Sequence, residues 1–325
     1  MDELHSEIAI IGAGMAGLAC ASKLVAQGHD VRVFDKGRGP GGRMAARRVE
    51  IAGETVRFDH GAQYFTARDP AFRSVVAGWE AQEAAARWHA AEKSQEDAAW
   101  VGVPGMNGPI KAMADGLAAV EREVLWSTRI EDLRREGERW RLGTGETVYT
   151  ADTVLVAIPA EQASELLKPC APDYAAIAAQ VTSEPCWAVM VAFADRLPIT
   201  RDAFRDSAAP ISWAARNSSK PERAGVENWI LHASPQRSRE LLDLPREEVG
   251  PILLADFFAQ MQVEPVIPIH TAAHRWLYAQ PASLAGEPAL FDAELRIGIA
   301  GDYLHSPRVE GAWLSGSALA NLVLA

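Results

Sequence analysis

Cysteine is scarce in this chain: three in 325 residues, at Cys20, Cys170 and Cys186. So few thiols, so widely spaced, suit neither a disulfide framework nor a zinc site; no metal is expected, and a reducing, cytoplasmic setting is. Long apolar runs are missing as well. None approaches the roughly 20 residues of a membrane span, so no membrane partner is expected. Residues 1–6 are acidic and lead at once into an apolar segment, which predicts no signal peptide. Positive charge is in deficit, with 32 Lys and Arg against 43 Asp and Glu and a net charge of -11. That balance argues against nucleic acid as a partner. The length allows a large core and two subdomains.

What is present begins at Ile8. An apolar run, Ile8-Ala9-Ile10-Ile11, meets Gly12-Ala13-Gly14-Met15-Ala16-Gly17, and a second run, Val31-Arg32-Val33-Phe34, ends in Asp35. This order predicts strand, glycine turn, helix and strand. The first glycine permits the tight turn, the second lets backbone amides approach a pyrophosphate, and the third lets helix pack on strand. The phosphate then sits at the positive end of a helix over 16–27. Asp35 is placed to accept from an adenosine ribose hydroxyl.

The next loop, Lys36-Gly37-Arg38-Gly39-Pro40-Gly41-Gly42-Arg43, narrows the choice of dinucleotide. Gly41 and Gly42 form a turn able to lie against a second phosphate or a ribityl chain, and Arg43 offers its planar fork to a phosphate. Such a turn is common in the glutathione-reductase-like flavoproteins and has no use in a simple NAD enzyme. FAD is therefore the expected cofactor. No cysteine is placed to attach it, so it should be non-covalent.

Further along, a strand running into a polar, small-residue turn over 56–66, helices over 70–88 and 109–123, a meander over 124–150 and a buried strand over 153–159 are expected. Strands over 185–193, 211–216, 229–232 and 267–278, with a helix over 245–262, suggest a second, antiparallel sheet. A buried strand over 295–302 ends in Gly301-Asp302, and a helix over 310–324 closes the chain. The expected fold is α/β: a Rossmann-type FAD-binding domain from residues 1–69, 105–165 and 290–325, with an inserted α+β substrate domain from 70–104 and 166–289. Asp302 is expected to accept from a ribityl hydroxyl. Small Gly311 and Ala312 are expected to let the positive end of the last helix approach the isoalloxazine, where negative charge develops on reduction.

On 185–193, alternation puts Trp187, Val189, Val191 and Phe193 on one face and Cys186, Ala188, Met190 and Ala192 on the other. The thinner second face leaves room for a flat substrate. His274, Trp276 and Tyr278 share a face, as do His232 and Ile230. Trp213, His232, Trp276 and Tyr278 are candidate substrate contacts. Asn217 and Arg308 are candidates to receive carboxamide or phosphate groups, with Arg216, Lys220, Arg223 and Arg275 as further possibilities and a solvated face as the default for most of them.

The motifs GAGMAG, GPGGRM, DHGAQYFTARD, WVGVPGM, VAIPA, WAARNSSKPER, AHRWLYAQP and GD…RVEGAWLSG resemble those of the bacterial renalases, FAD flavoproteins related to amine oxidases, over almost the whole chain. The resemblance implies an oxidase of isomeric dihydro-NAD(P), the 2- and 6-dihydro forms, that returns NAD(P)+ and passes electrons to O2 to give H2O2. It implies FAD contacts from 12–17, Asp35, Lys36, Arg43, Gln63, Tyr64, Ile130, Asp302 and Val309. A substrate site would be lined by Tyr64, Phe65, Thr66, Ala67, Arg68, Cys186 and Tyr303. Two other readings stay open: a flavin amine oxidase, against which Arg275 and the missing amine cage argue, and a non-catalytic FAD-fold binding protein.

Overall fold

The computed structural model describes residues 4–92, 98–223 and 225–325. The first strand, Leu4–Ile11, lies at the centre of an eight-stranded sheet. It pairs in parallel with Val31–Phe34 on one side and Val148–Val156 on the other; Val148–Val156 pairs in parallel with Ile297–Ala300. Ile8, Ala9, Ile10, Val154, Leu155 and Val156 are nearly or wholly inaccessible, as a parallel sheet covered on both faces requires. The first helix, Met15–Ala26, and the last, Val309–Leu324, pack on one face of this sheet.

A five-stranded antiparallel sheet follows the order Ala203–Arg205, Ile211–Arg216, Glu227–Ala233, Ser183–Phe193, His270–Pro281. Trp187, Val189, Val191 and Phe193 bury against the helix Arg246–Met261. The opposite face is covered at one end by a hairpin, Arg47–Ile51 and Glu54–Phe58, whose Ile51, Val56 and Phe58 meet Met190, Ala192 and Ile230. The hairpin thus leaves the Cys186 and Ala188 end of that face uncovered by itself, although Ala188 is buried there by other segments.

Several expectations need correction. The helix expected over 70–88 ends at Ala81. Glu83 adopts a left-handed conformation (φ +57°), and the chain turns into the strand Ala85–Arg87. Phe72, Val76, Trp79, Trp88 and Val101 then bury in the core shared with the first and last helices. The described residues of 70–92 and 98–104 thus share a core with the first and last helices, and they also touch the second part of the chain, through Trp88 donating to Ser219 at 3.1 Å and Gly102 accepting from Arg223 at 2.7 Å. The helix expected to Glu123 stops at Ala118. Val124 and Leu125 are not meander but a parallel edge strand beside Val33 and Phe34; the antiparallel meander runs through Asp132–Glu136, Arg139–Gly143 and the first half of Val148–Val156.

Candidate active site

The glycine turn leaves space at the end of the first helix. Gly12 has φ +109°, and a Cβ on Gly17 would stand 1.8 Å from the Gly12 carbonyl oxygen. A Cβ on Gly14 would meet nothing within 4 Å, and no side chain caps the helix. Uncapped N–H groups at the positive helix end thus face open space, the arrangement a pyrophosphate requires. Ala13 and Ala16 lie in the same turn. Asp35 holds it in shape, its Oδ2 accepting from the Ala13 N–H at 2.8 Å and its Oδ1 from the Gly37 N–H at 2.7 Å. A carboxylate offers about four lone-pair sites, so Asp35 keeps capacity for a ribose hydroxyl. Asp35→Ala should weaken FAD binding by about 1.5–3 kcal/mol, the worth of a hydrogen bond to a charged group. Titration of the apoprotein checks this, and unchanged affinity would remove Asp35 from the site.

Arg43 and Asp302 depart from their expected separate roles. The guanidinium donates twice to the carboxylate, Nη1 to Oδ2 at 2.8 Å and Nη2 to Oδ1 at 2.7 Å. Asp302 is nearly buried, and a buried carboxylate demands a counter-charge. A Cβ on Gly311 would lie 2.2 Å from the Ser306 carbonyl oxygen, so its missing side chain makes room for the preceding loop. Val309 and Ala312 pack partly buried on the core, Ile130 lies in the core beside Phe34, and Lys36 donates to Gln162 at 2.7 Å. Gly42 is exposed on the loop before Arg43. The Tyr303 hydroxyl and one Glu161 carboxylate oxygen are buried without a partner. Orphaned polar atoms, the open cradle at Gly14 and the uncapped helix together fit a large polar cofactor.

The cleft wall comes from both parts of the chain. Tyr64 lies 5.5 Å from Trp213, whose indole nitrogen is buried and unpartnered. On the open face of the five-stranded sheet, the ladders set Cys186 opposite Trp276, and Ala188 opposite both His232 and His274. Trp276 stacks on His60 at 5.3 Å and donates to the His60 carbonyl at 2.8 Å; His274 lies 4.5 Å from Trp276. Burial pushes all three histidines down, His60 to about 3, and His232 and His274 to about 4. They are neutral at physiological pH. Burial likewise pushes the Cys186 thiol up to about 12.

Other expected contacts sit elsewhere. Asn217 is fully buried and donates to the Arg57 carbonyl and Asn228 Oδ1 at 2.6 and 2.8 Å. Phe65 packs edge-on to Trp79 in the core, while its backbone bridges to Trp100. The backbone N–H groups of Arg68 and Asp69 donate to buried Glu310, which anchors 66–69 to the last helix. Thr66 and Ala67 are half-buried, and Arg308 is exposed. Tyr278 lies where a register shift between Glu184 and Cys186 interrupts the ladder beyond Trp276.

A buried ion cluster supports Gln63 from behind. Asp59, wholly buried, accepts from Lys220 Nζ at 3.1 Å, Arg223 Nη2 at 2.8 Å and the Met106 N–H at 2.8 Å. Lys220 also donates to Gln63 Oε1 at 3.1 Å, while Gln63 Nε2 donates to the Asp59 carbonyl. The amide is thereby held in one orientation, 3.5 Å from His232. Burial pushes Lys220 down to about 8 against the pull of Asp59. Arg216 is likewise buried, paired with Asp202 and Glu227. A solvated face, the default for these cations, is thus incorrect for Arg216, Lys220 and Arg223. The one sequence signal for the cluster was an acid, Asp59, directly following the apolar strand end at Phe58.

Among the described residues no helix is long and apolar enough to cross a membrane, and no group of His, Cys, Asp or Glu could hold a metal ion. A family model described as flavin containing amine oxidoreductase matches residues 74–324, and one described as an NAD(P)-binding Rossmann-like domain matches residues 10–79. Among solved structures, the chain is similar over 99% of its length and 99% of the other to a protein assigned as a protoporphyrinogen oxidase from Exiguobacterium sp. 255-15 (TM-score 0.75, 14% identity). It is similar to a putrescine oxidase variant over 99% of both chains (TM-score 0.73, 13%). Cyclohexylamine oxidase from Brevibacterium oxydans is similar over 98% of both chains (TM-score 0.63, 13%). At these identities the likeness shows the fold. A zeta-carotene-forming phytoene desaturase from Myxococcus xanthus is 50% identical over 48 residues, 15% of this chain and 9% of the desaturase. A 4,4'-diapophytoene desaturase from Staphylococcus aureus is 53% identical over 38 residues, 12% and 8% of the respective lengths. The chain thus spans less than a tenth of these curated relatives.

Proposed function

We propose that this chain, which belongs to the flavin containing amine oxidoreductase family, is an oxidase of isomeric dihydro-NAD(P), the 2-dihydro form foremost and the 6-dihydro form as its alternative. Its cofactor is FAD. Each turnover would convert one dihydro-NAD(P), one O2 and one proton to NAD(P)+ and H2O2. The observation that carries this reading is the charge on the cleft wall: the charges acting on His274 are those of Arg47 and Arg246, both positive. A cationic amine is repelled there, whereas an uncharged ring on an anionic tail is attracted.

When bound, FAD supplies the hydride acceptor and the route of electrons to O2. The chain's own contribution is placement. Tyr64, Trp213 and Trp276 offer flat faces on which a ring can stack. Neutral His60, His232 and His274 present no imidazolium to the substrate, and hydride loss needs no base. Gln63, fixed by Lys220, offers an amide of set orientation to the polar edge of a ring. We take FAD to be held without a covalent bond and the protein to work in the cytoplasm, readings supported by three free thiols, of which Cys20 is buried.

Anaerobic stopped-flow with each donor tests the reaction. The 2-dihydro form should bleach the flavin at least a hundredfold faster than ordinary 4-dihydro-NAD(P)H or a primary amine, because hydride transfer falls steeply with misplacement. Faster bleaching by an amine would establish an amine oxidase instead. Bleaching by no donor would favour a non-catalytic binding protein. Faster bleaching by the 6-dihydro form would change only the preferred isomer.

A further inference from the structure

Behind the cleft lies a buried lysine that charge balance does not require. The Asp59 carboxylate is already answered by Arg223, 2.8 Å away, yet Lys220 Nζ joins it at 3.1 Å, and all three side chains are wholly inaccessible. Burying a second cation beside one anion is unfavourable, and an apolar side chain of the same length would fill the space without that penalty. What Lys220 adds is its bond to Gln63, donating to Oε1 at 3.1 Å. The other end of that amide turns back on its own segment. Its Nε2 donates to the carbonyl of Asp59 and, at 3.1 Å, to that of Gly61.

The segment pinned in this way, 60–64, runs between the Arg43 loop and the cleft wall. On one side the Ala62 N–H donates to the Arg43 carbonyl at 2.9 Å, and the Arg43 guanidinium holds Asp302. On the other, the His60 carbonyl accepts from Trp276, and the Tyr64 ring lies 5.5 Å from Trp213. Trp213 faces His232 across the ladder, and Gln63 Nε2 is 3.5 Å from His232, so Gln63 and Tyr64 lie over facing residues of adjacent strands. The passage is narrow at Gly61. A Cβ there would stand 2.1 Å from the Arg43 carbonyl oxygen and 3.4 Å from the Trp276 ring, so only glycine fits.

We propose that Lys220 is a positioning residue for hydride transfer: through Gln63 it pins 60–64 between the Arg43 loop and the aromatic wall, and so sets where a ring stacked on that wall lies. This rests on the dihydronicotinamide reading. Without the pin, Gln63 loses the donor that fixes its amide, and the segment carrying Tyr64 and the acceptor for Trp276 loosens. A ring still finds apolar faces to stack on, but its placement is no longer fixed. Transfer rate depends steeply on placement, whereas stacking does not.

The test compares wild-type holoenzyme with Lys220→Met, Gln63→Met and the double variant at matched flavin content. In Lys220→Met the Ala62 amide should exchange its hydrogen about tenfold faster or more, with the first helix unchanged. The limiting rate of anaerobic flavin bleaching by 2-dihydro-NAD should fall about 30-fold or more, while the calorimetric Kd for NAD+ changes less than threefold. Gln63→Met should match these effects, and the double variant should fall no further, because the two residues act as one unit. An unchanged Ala62 exchange rate overturns the proposal, as does an unchanged bleaching rate. A double variant slowed by the product of the single effects also overturns it, since Lys220 would then not act through Gln63. Gln63→Met leaves the ion pairs of Asp59 whole, so it decides the matter if Lys220→Met does not fold: faster exchange with slower bleaching supports the pin, and wild-type values overturn it. If no dihydronicotinamide bleaches wild type, the reaction reading fails, and exchange at Ala62 alone decides whether Lys220 holds the segment.

Discussion

Gly17→Ala will yield protein without flavin. The added Cβ would stand 1.8 Å from the Gly12 carbonyl oxygen, a backbone atom that cannot rotate away. The first turn of the first helix must lift off the strand, and with it the N–H groups that face the pyrophosphate. Overpacking a core costs about 1–3 kcal/mol, and a clash with backbone belongs at the upper end. We expect a clear fall in Tm and near-zero flavin absorbance after purification. Gly14→Ala is the informative contrast. Its Cβ meets nothing within 4 Å of protein, so Tm should hold while FAD affinity drops. A Gly14→Ala protein that binds FAD as tightly as wild type would show that the pyrophosphate does not use this space.

Asp59→Ala should be equally damaging for an electrostatic reason. It would leave Lys220 and Arg223, both with wholly buried side chains, without their shared anion. Breaking a buried pair by removing one partner costs about 3–5 kcal/mol, and urea unfolding measures it. Lys220→Met should be milder, since Asp59 and Arg223 remain a balanced pair. The pH dependence separates the two effects. Lys220 is pushed from 10.5 to about 8, so between these values the folded state binds fewer protons than the unfolded one. Stability from this group must then rise as pH climbs from about 8 to 10.5. Wild type should gain on Lys220→Met across that window. A wild type that loses ground there would mean that Asp59 outweighs burial and holds the lysine's proton.

How much was legible depended on range. The motif from Ile8 to Asp35 could be read because each residue acts on near neighbours: apolar residues make the strand, glycines the turn, and an acid ends the second strand. The strand Ile211–Arg216 and the helix Arg246–Met261 were legible for the same reason, through periods of two and 3.6 residues. The end of the helix at Ala81 was not, because a left-handed Glu83 gives no local signal in an alanine-rich stretch. Nor was the pairing of Arg43 with Asp302, 259 residues apart, which left each with a role it does not hold alone. Lys220 and Arg223 looked solvated because charged residues on a polar loop usually are; only the folded chain brings Asp59 to them.

The sequence alone thus determined the dinucleotide turn, the cofactor class and the two kinds of sheet, since turn chemistry and hydrophobic period are properties of short segments. The tertiary structure decided which side chains meet. Charge pairs and cleft walls depend on how distant segments close in space, and burial then set His60, His232, His274 and Lys220 away from their ordinary protonation.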